Sequence, residues 1–132
     1  MLSALLGCVS AGAAAETVLD ANSIQRLFAG NSATGQHLLH AYHFQRYYGA
    51  DGQLRSRVLV ANKGNKGAPE KGRWWVEKNR LCLSWQGFDQ PLCRNVILHD
   101  DGRYEKTLMK GKRFRKPIVR YEAFHSGNAF GL

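Results

Sequence analysis

Apolar residues recur with helical spacing only near the start of the chain. Three of them fall at positions i, i+3 and i+4, on one face of a helix: Ile24, Leu27 and Phe28. Asp20 precedes this run in the position of an N-cap, and Gly30 follows it as a C′ residue. The sequence therefore predicts a short helix over residues 21–29. Because so short a helix is marginal alone, we expect it to pack against a sheet or plug one end of it.

Beyond Gly35 the pattern becomes extended, with runs of alternating or aromatic residues separated by turn residues. The predicted strands cover residues 37–48, 54–61, 73–77, 80–86, 92–99, 103–109 and 112–124. Pro117 lies inside the last run and predicts an edge strand, a bulge or a corner. The pattern predicts an all-β fold, an antiparallel up-and-down meander of about seven to eight strands. We expect the meander to close into a small, calycin-like barrel or to form a sandwich, with the helix at its N-terminal side.

Cys82 and Cys93 lie on neighbouring predicted strands. If they are directly opposed in an antiparallel hairpin, Leu83 faces Leu92 and the hairpin tip lies near Gly87-Phe88. Opposed residues of a non-hydrogen-bonded pair lie ~4.5 Å apart at Cα, a distance that a disulfide bridges. We therefore predict a Cys82–Cys93 disulfide, which stabilises the fold by roughly 2.5–3 kcal/mol. The alternative is a pair of free, buried thiols.

The first residues of the chain predict export. Residues 2–12 are apolar or small and uncharged, and Ala13-Ala14-Ala15 follows them. This pattern is typical of a signal peptide over residues 1–15, although no Lys or Arg precedes the apolar stretch. Residues 16–132 then form a single β-barrel-like domain, whose two cysteines suit an oxidising compartment. The predicted location is the bacterial periplasm or the extracellular medium.

Two features of the leader limit other interpretations. The apolar stretch is too short to span a bilayer, so we predict no transmembrane span. Leu5-Leu6-Gly7-Cys8 resembles a bacterial lipobox, and lipidation of Cys8 is therefore an alternative to cleavage after Ala15.

The formal net charge is +9, from 19 Lys and Arg against 10 Asp and Glu, which favours an anionic partner. Basic residues crowd the last predicted hairpin, where Arg113 and Arg115 share a face with Val119 and Tyr121 if no bulge intervenes. Trp74 and Trp75 are adjacent, so one of them faces away from the main core. The candidate ligand-binding residues are Trp74, Trp75, Tyr104, Lys112, Arg113, Arg115, Lys116 and Arg120.

Histidines offer the one candidate metal site, and the predicted strands argue against it. On a single strand His37 and His43 share a face and lie ~20 Å apart, while His40 points the other way. A site that combines one of them with His99 or His125 remains an alternative. No nucleophile elbow, P-loop, dinucleotide-binding turn or HExxH motif is present, so we predict no catalytic residue, no cofactor and no metal.

A set of motifs from residue 20 to 130 resembles a known family. The motifs are Gly30-Asn31-Ser32-Ala33-Thr34-Gly35, Tyr47-Tyr48-Gly49-Ala50-Asp51-Gly52, Gly72-Arg73-Trp74-Trp75-Val76, Arg80-Leu81-Cys82-Leu83-Ser84-Trp85 with Cys93, Asp101-Gly102-Arg103-Tyr104, and Gly127-Asn128. The chain resembles a domain-of-unknown-function family of small exported proteobacterial proteins. The resemblance implies bacterial origin, export and a compact β fold, and it implies no activity.

We therefore predict a non-catalytic exported protein that binds an anionic or amphipathic ligand, an envelope component or a partner protein. Export argues against nucleic acid as the partner. The first alternative is a cytoplasmic nucleic-acid-binding β-barrel, which applies if residues 1–15 are not a leader. The second alternative is a metal-binding protein or enzyme that uses the histidines.

Overall fold

The structure, a computed structural model, describes residues 16–59, 69–110 and 114–132. One helix and nine strands occur there: β1 (Thr17–Val18), α1 (Ala21–Phe28), β2 (Asn31–His37), β3 (Tyr42–Tyr48), β4 (Gln53–Leu59), β5 (Glu70–Glu77), β6 (Arg80–Trp85), β7 (Leu92–Leu98), β8 (Tyr104–Lys110) and β9 (Phe114–Ser126). The all-β prediction is confirmed. Within the described ranges, no helix has both the length and the apolar character to cross a membrane.

Strands β2 to β9 form a closed, eight-stranded antiparallel barrel. Each strand pairs with the next one along the chain, and β9 pairs back with β2. The short β1 adds to the end of β7, where Val18 pairs with Ile97. The predicted meander and its closure are thus confirmed, and closure leaves none of the eight barrel strands at a free sheet edge.

Helix α1 forms as its sequence predicts and covers one end of the barrel. The Asp20 carboxylate accepts a hydrogen bond from the Ser23 amide at 2.8 Å, and Gly30 follows the helix with φ of 73°. The buried face of the helix carries Ile24 and Phe28, both fully inaccessible to solvent. This amphipathic face is the reason that so short a helix is stable here.

The β6–β7 hairpin has the predicted register. Cys82 pairs with Cys93 and Leu83 pairs with Leu92. The two cysteines form a disulfide with their Cα atoms 4.0 Å apart. Because Leu83 belongs to the main core and Cys82 alternates with it, the disulfide lies on the outer face of the barrel.

Two bulges in β9 determine which of its residues face inward. Lys106 pairs with Val119 but Thr107 pairs with Pro117, so Ile118 is an extra residue. A second shift leaves Glu122 extra against β2. The bulge predicted at Pro117 is confirmed. It also means that positions before the bulge do not share the face of Val119 by simple alternation, which removes the condition for one basic stripe along the last strand.

The prediction of one strand over residues 37–48 is wrong, because the chain turns inside it. His37 ends β2 and His43 lies on β3, where it pairs with Gln36. The connection over residues 38–41 has no Gly or Pro, and Ala41 supplies the positive φ of 51°. The expected ~20 Å separation of His37 and His43 along one strand therefore does not apply.

Candidate ligand site in the barrel interior

The inward face of the barrel, here called the lumen, is apolar at one end and basic near the other. Strand β3 places Phe44, Arg46 and Tyr48 inward, since these alternate positions are all buried. Tyr48 lies at the capped end, where its ring centroid is 4.7 Å from that of Phe28 on α1. The opposite end, where β2 ends and β3 begins, is called the open end below.

Arg46 is the central residue of the site. It is 4% exposed, and its Nε donates a hydrogen bond to Ser56 Oγ at 3.2 Å. Its guanidinium carbon lies 4.2 Å from the Phe44 ring centroid and 5.0 Å from the Trp85 ring centroid. The Phe44 ring belongs to a residue nearer the open end of β3 than Arg46, and Trp85 is the last residue of β6.

A glycine makes room for this arrangement. A Cβ atom on Gly35 would lie 2.6 Å from Cζ of Phe44 and 2.8 Å from the carbonyl oxygen of Arg120. Glycine at this inward position lets the Phe44 ring lie against the β2 backbone. The same ring contacts the guanidinium of Arg46. The glycine therefore supports the site, although it touches no ligand atom itself.

The positive charge of Arg46 has no negative partner. All ten Asp and Glu residues of the chain lie in the described segments. None of these carboxylates forms an ion pair with Arg46 or Lys106. Removing one ion from water carries an effective penalty of several kcal/mol, and buried charges are ordinarily paired. Among the described residues, the groups recorded against the guanidinium are therefore ring faces and hydroxyl groups.

Three phenol groups surround the guanidinium. Burial lowers the pKa of Arg46, but nearby Tyr48, Tyr121 and Tyr42 outweigh it and hold that pKa above its ordinary value. The hydroxyl oxygens of Tyr48 and Tyr121 are buried, and neither has a hydrogen-bond partner of good geometry among the described residues. Two hydroxyl groups that can donate a hydrogen bond thus lie close to an unpaired cation.

Lys106 adds a second buried amine to the lumen. It is 6% exposed and pairs in register with Val96 on one side and Val119 on the other. Burial holds the pKa of Lys106 well below its usual range, and the positive charges of Arg46 and Arg94 lower it further. A bound anion would favour the charged form of this lysine and oppose that shift of its pKa.

His37 extends the basic region towards the open end. Its ring stacks on those of His40 and Tyr42, with centroids 4.8 and 4.9 Å away. Burial lowers the pKa of His37 to about 4, and the charges of His40, Lys106 and Arg46 act in the same direction. At neutral pH this imidazole is therefore uncharged, and its low pKa reflects burial first and the nearby positive charges second.

The open end carries exposed apolar side chains beside this basic region. Phe88 is 73% exposed and Leu92 is 45% exposed, both near the β6–β7 connection. Two adjoining clefts of ≈ 400 and ≈ 310 Å³ share Trp85 and Phe88 in their walls, and Leu92 also lines the smaller one. Trp85 thus contacts the guanidinium of Arg46 and also lines an apolar cleft open to solvent.

The structure does not bring the predicted binding residues to one place. Trp74 is 4% exposed and donates its Nε1 hydrogen to the Gly49 carbonyl, so it belongs to the core. Trp75 is the outward member of the pair, as expected from alternation, and its Nε1 lies 3.5 Å from Glu77 Oε2. Tyr104 packs on Phe124 with ring centroids 5.6 Å apart.

The basic residues of the last hairpin are also dispersed. Arg120 forms an ion pair with Glu105 on the outer face, Nε to Oε2 at 3.6 Å. Lys116 is exposed and pairs with Leu108 in the sheet. Lys112 and Arg113 lie outside the described residues, and so does the side chain of Arg115. They stay predictions.

Sequence analysis missed Arg46 and Lys106, although a signal for both is present. Each is a charged residue in the inward phase of its strand, between inward neighbours: Phe44, Arg46 and Tyr48 on β3, and Tyr104, Lys106 and Leu108 on β8. A charge in the phase of a strand that is otherwise apolar marks a polar position in the lumen. That signal becomes decisive only when the inward face is known.

A second basic region lies on the outer face of β4 and β5. Arg55 is directly opposed to Lys71, and like charges in that position repel each other. Arg57 and Arg73 continue the same face on their strands. This outer basic face is exposed to solvent at Lys71 and Arg73, in contrast to the buried cations of the lumen.

The described residues hold one cluster of metal-ligating types, Glu77 with Cys82 and Cys93. The two sulfur atoms are joined in a disulfide and are therefore not thiolate ligands. His37 and His40 contact each other through stacked rings near the lumen.

Fold and site together define a class: a small closed β-barrel plugged by a helix at one end, with unpaired cations in its interior towards the other. Comparison of the chain with protein-family models, with curated proteins and with solved structures finds no match. The function of this chain is therefore inferred from its own geometry.

Proposed function

We propose that this chain is an exported, non-catalytic binding protein whose lumen takes up a small anionic or amphipathic ligand. The observation that carries the proposal is the buried guanidinium of Arg46, which no carboxylate of the chain neutralises. An anion beside it would also face Lys106 and the unpartnered hydroxyls of Tyr48 and Tyr121. A small molecule in the mouth of a β-barrel is a common arrangement of binding sites.

Energetics favour a ligand over a purely structural role. A buried cation without a partner destabilises the folded protein, and hydrophobic residues of similar volume are often neutral or better in such places. Hydrogen bonds from a guanidinium to an anion are about twice as strong as neutral ones, and the planar fork orients the anion. Arg46 therefore lowers the stability of the fold, and we expect its contribution to be to ligand binding.

The test is binding of small anions to the purified protein, with Arg46→Met as the matched variant. Acetate, benzoate and inorganic phosphate are added in turn, and the melting temperature and tryptophan fluorescence are followed. We expect at least one anion to raise the melting temperature of the wild type and to leave the variant unchanged. Equal shifts for both proteins, or none for any anion, would contradict the lumen as the site.

Export and the predicted domain boundary at residue 16 are tested on protein recovered from its native host. Intact mass is measured without reduction and again after reduction and alkylation. A mature chain that starts at Glu16 and gains two alkyl groups only after reduction supports export to the periplasm or medium. An added diacylglyceryl mass at Cys8 supports the lipoprotein alternative, and an intact Met1 on cytosolic protein contradicts export. The proposed membership in the exported proteobacterial family depends on the same result.

A second candidate function is binding of a polyanion to the outer basic face. It is favoured by the directly opposed Arg55 and Lys71, because a bound polyanion would relieve the repulsion between these two positive charges. An oligonucleotide or a sulfated glycan that binds there would lose affinity steeply with salt. The double variant Arg55→Gln/Lys71→Gln should abolish that binding and leave the response to small anions intact.

A further inference from the structure

We propose that the ligand is a single-chain amphiphile whose anionic head group lies beside Arg46 and whose apolar chain runs outward over Trp85, Phe88 and Leu92. This inference rests on the proposed function and adds the chemical class and the orientation of the ligand. It depends on three observations: one ring shared by the two parts of the site, a reversed order of polarity, and buried hydroxyl groups that have no well-aligned partner among the described residues.

Trp85 is the residue that the two parts of the site share. Its ring lies against the guanidinium of Arg46 at 5.0 Å and also lines the ≈ 310 Å³ cleft with Phe88 and Leu92. A molecule in contact with both surfaces must therefore be charged at one end and apolar along the rest. A compact inorganic anion would leave the cleft unused, and a neutral hydrocarbon would leave the cation unpaired.

The order of polarity fixes the orientation. In most proteins apolar side chains lie inside and charges lie outside, yet Arg46 is 4% exposed while Phe88 is 73% exposed. Leu92 and, on the β2–β3 connection, Leu39 add exposed apolar surface at the same end. An anionic head group inside the barrel would pair with the buried charge. The apolar chain behind it would cover the exposed apolar side chains.

The head group must be anionic and must accept hydrogen bonds. Arg46 and Arg94 carry positive charge on the lumen side, and the neighbouring Lys106 becomes charged when an anion is present. Tyr48 and Tyr121 offer buried hydroxyls that lie against the guanidinium and have no well-aligned hydrogen bond among the described residues. No described carboxylate forms an ion pair with the guanidinium, so Arg46 would repel a cationic head group.

The experiment is a titration with hexanoate, octanoate, decanoate and dodecanoate below their micelle concentrations, followed by tryptophan fluorescence and calorimetry. Each added methylene that becomes buried should tighten binding about fourfold until the cleft is filled. Dodecanol and dodecyltrimethylammonium serve as head-group controls. We expect both to bind at least tenfold more weakly than dodecanoate. Dodecyl phosphate distinguishes a carboxylate from a phosphate head, and either is compatible with the proposal.

Two variants separate the head from the chain. Phe88→Ser changes an exposed residue and should flatten the dependence of affinity on chain length. Val18→Ser is the matched control, because Val18 is an apolar residue 37% exposed and β1 lies at the capped end. Arg46→Met should weaken every acid of the series by a similar factor.

The outcomes divide cleanly. If short anions bind through Arg46 but affinity does not rise with chain length, the amphiphile is wrong and the anion-binding lumen stands. If dodecanol binds as well as dodecanoate, the head-group assignment is wrong. If no anion binds at all, both proposals fail. If the protein does not bind the free acids but sediments with anionic phospholipid vesicles, its partner is a membrane surface and the single-chain ligand is excluded.

Discussion

The two ends of the barrel differ in where their apolar and charged side chains lie. At the capped end, Phe28 of α1 packs its ring on Tyr48, Tyr121 and Phe124 with centroids 4.7, 5.4 and 5.5 Å away. Towards the open end, cations lie inside and apolar side chains lie outside. The capped end therefore supplies packing free energy, whereas the open end holds charge at a cost to stability.

The proposed binding site lies towards the end of the barrel where charge is buried, rather than at the well-packed end. Tyr48 and Tyr121 belong to both regions, because α1 packs on their rings and their phenol groups lie near Arg46. The helix thus forms the floor of the site as well as the plug of the barrel. Substitutions at the two ends should consequently separate stability from binding.

The largest effect is expected at the capped end. Phe28→Ala leaves a cavity among aromatic rings and should lower the free energy of unfolding by about 3–5 kcal/mol. The measurement is urea denaturation, with Phe88→Ala as the control, which should stay within about 0.5 kcal/mol because Phe88 is exposed. An equal loss in both variants would mean that the two ends do not differ in packing.

Lys106→Met should have the next largest effect, with the opposite sign. It replaces a buried, unpaired amine with an apolar side chain and should raise the free energy of unfolding by about 1–4 kcal/mol at neutral pH. Because the pKa of Lys106 is depressed in the folded state, the unfolded chain binds more protons, and wild-type stability should rise as pH increases towards about 10.4.

The pH dependence is the internal control for this variant. Lys106→Met should lose the rise in stability with alkaline pH, measured by urea denaturation between neutral pH and pH 10. Lys116→Met, a change at an exposed lysine of β9, should keep it. A destabilised Lys106→Met protein would indicate that the amine has a structural partner.

Arg46→Met should change stability little and binding greatly. The variant lacks the hydrogen bond to Ser56 and the two ring contacts of Arg46, but it also lacks an uncompensated charge in the core. We expect the free energy of unfolding to stay within about 1 kcal/mol of wild type, because replacement of a buried charge by an apolar residue is often neutral. A loss of about 3–5 kcal/mol, as for a broken buried ion pair, would contradict the functional assignment.

His37→Asn should have the smallest effect, confined to acidic pH. The pKa of His37 is about 4 in the folded protein and about 6.5 when unfolded. The unfolded chain therefore gains a proton first, and wild-type stability should fall as pH drops from about 6.5 to about 4. The variant should show a shallower fall in thermal melts, whereas the exposed His125→Asn should match wild type. A bound anion should raise the pKa of His37 and reduce the fall.

Local chemistry in the sequence was enough for much of the fold. Asp20 and Gly30 bound the helix, and the spacing of Cys82 and Cys93 gave the register of their hairpin, because caps and opposed cysteines act between near neighbours. The β2–β3 turn escaped prediction since it has no Gly or Pro and depends on Ala41 at positive φ. The pairing of His37 with Tyr42 on either side closes this turn.

Alternation, capping residues and cysteine spacing predict most of the strands, the helix and the disulfide, whereas the make-up of the site depends on tertiary packing. Alternation separates the two faces of a strand but does not say which face a closed barrel turns inward. Pairing of β9 with β2, and the bulge at Ile118, decide that Lys106 shares the lumen with Arg46 of a distant strand. Two charges so far apart along the chain form one site only because the sheet closes on itself.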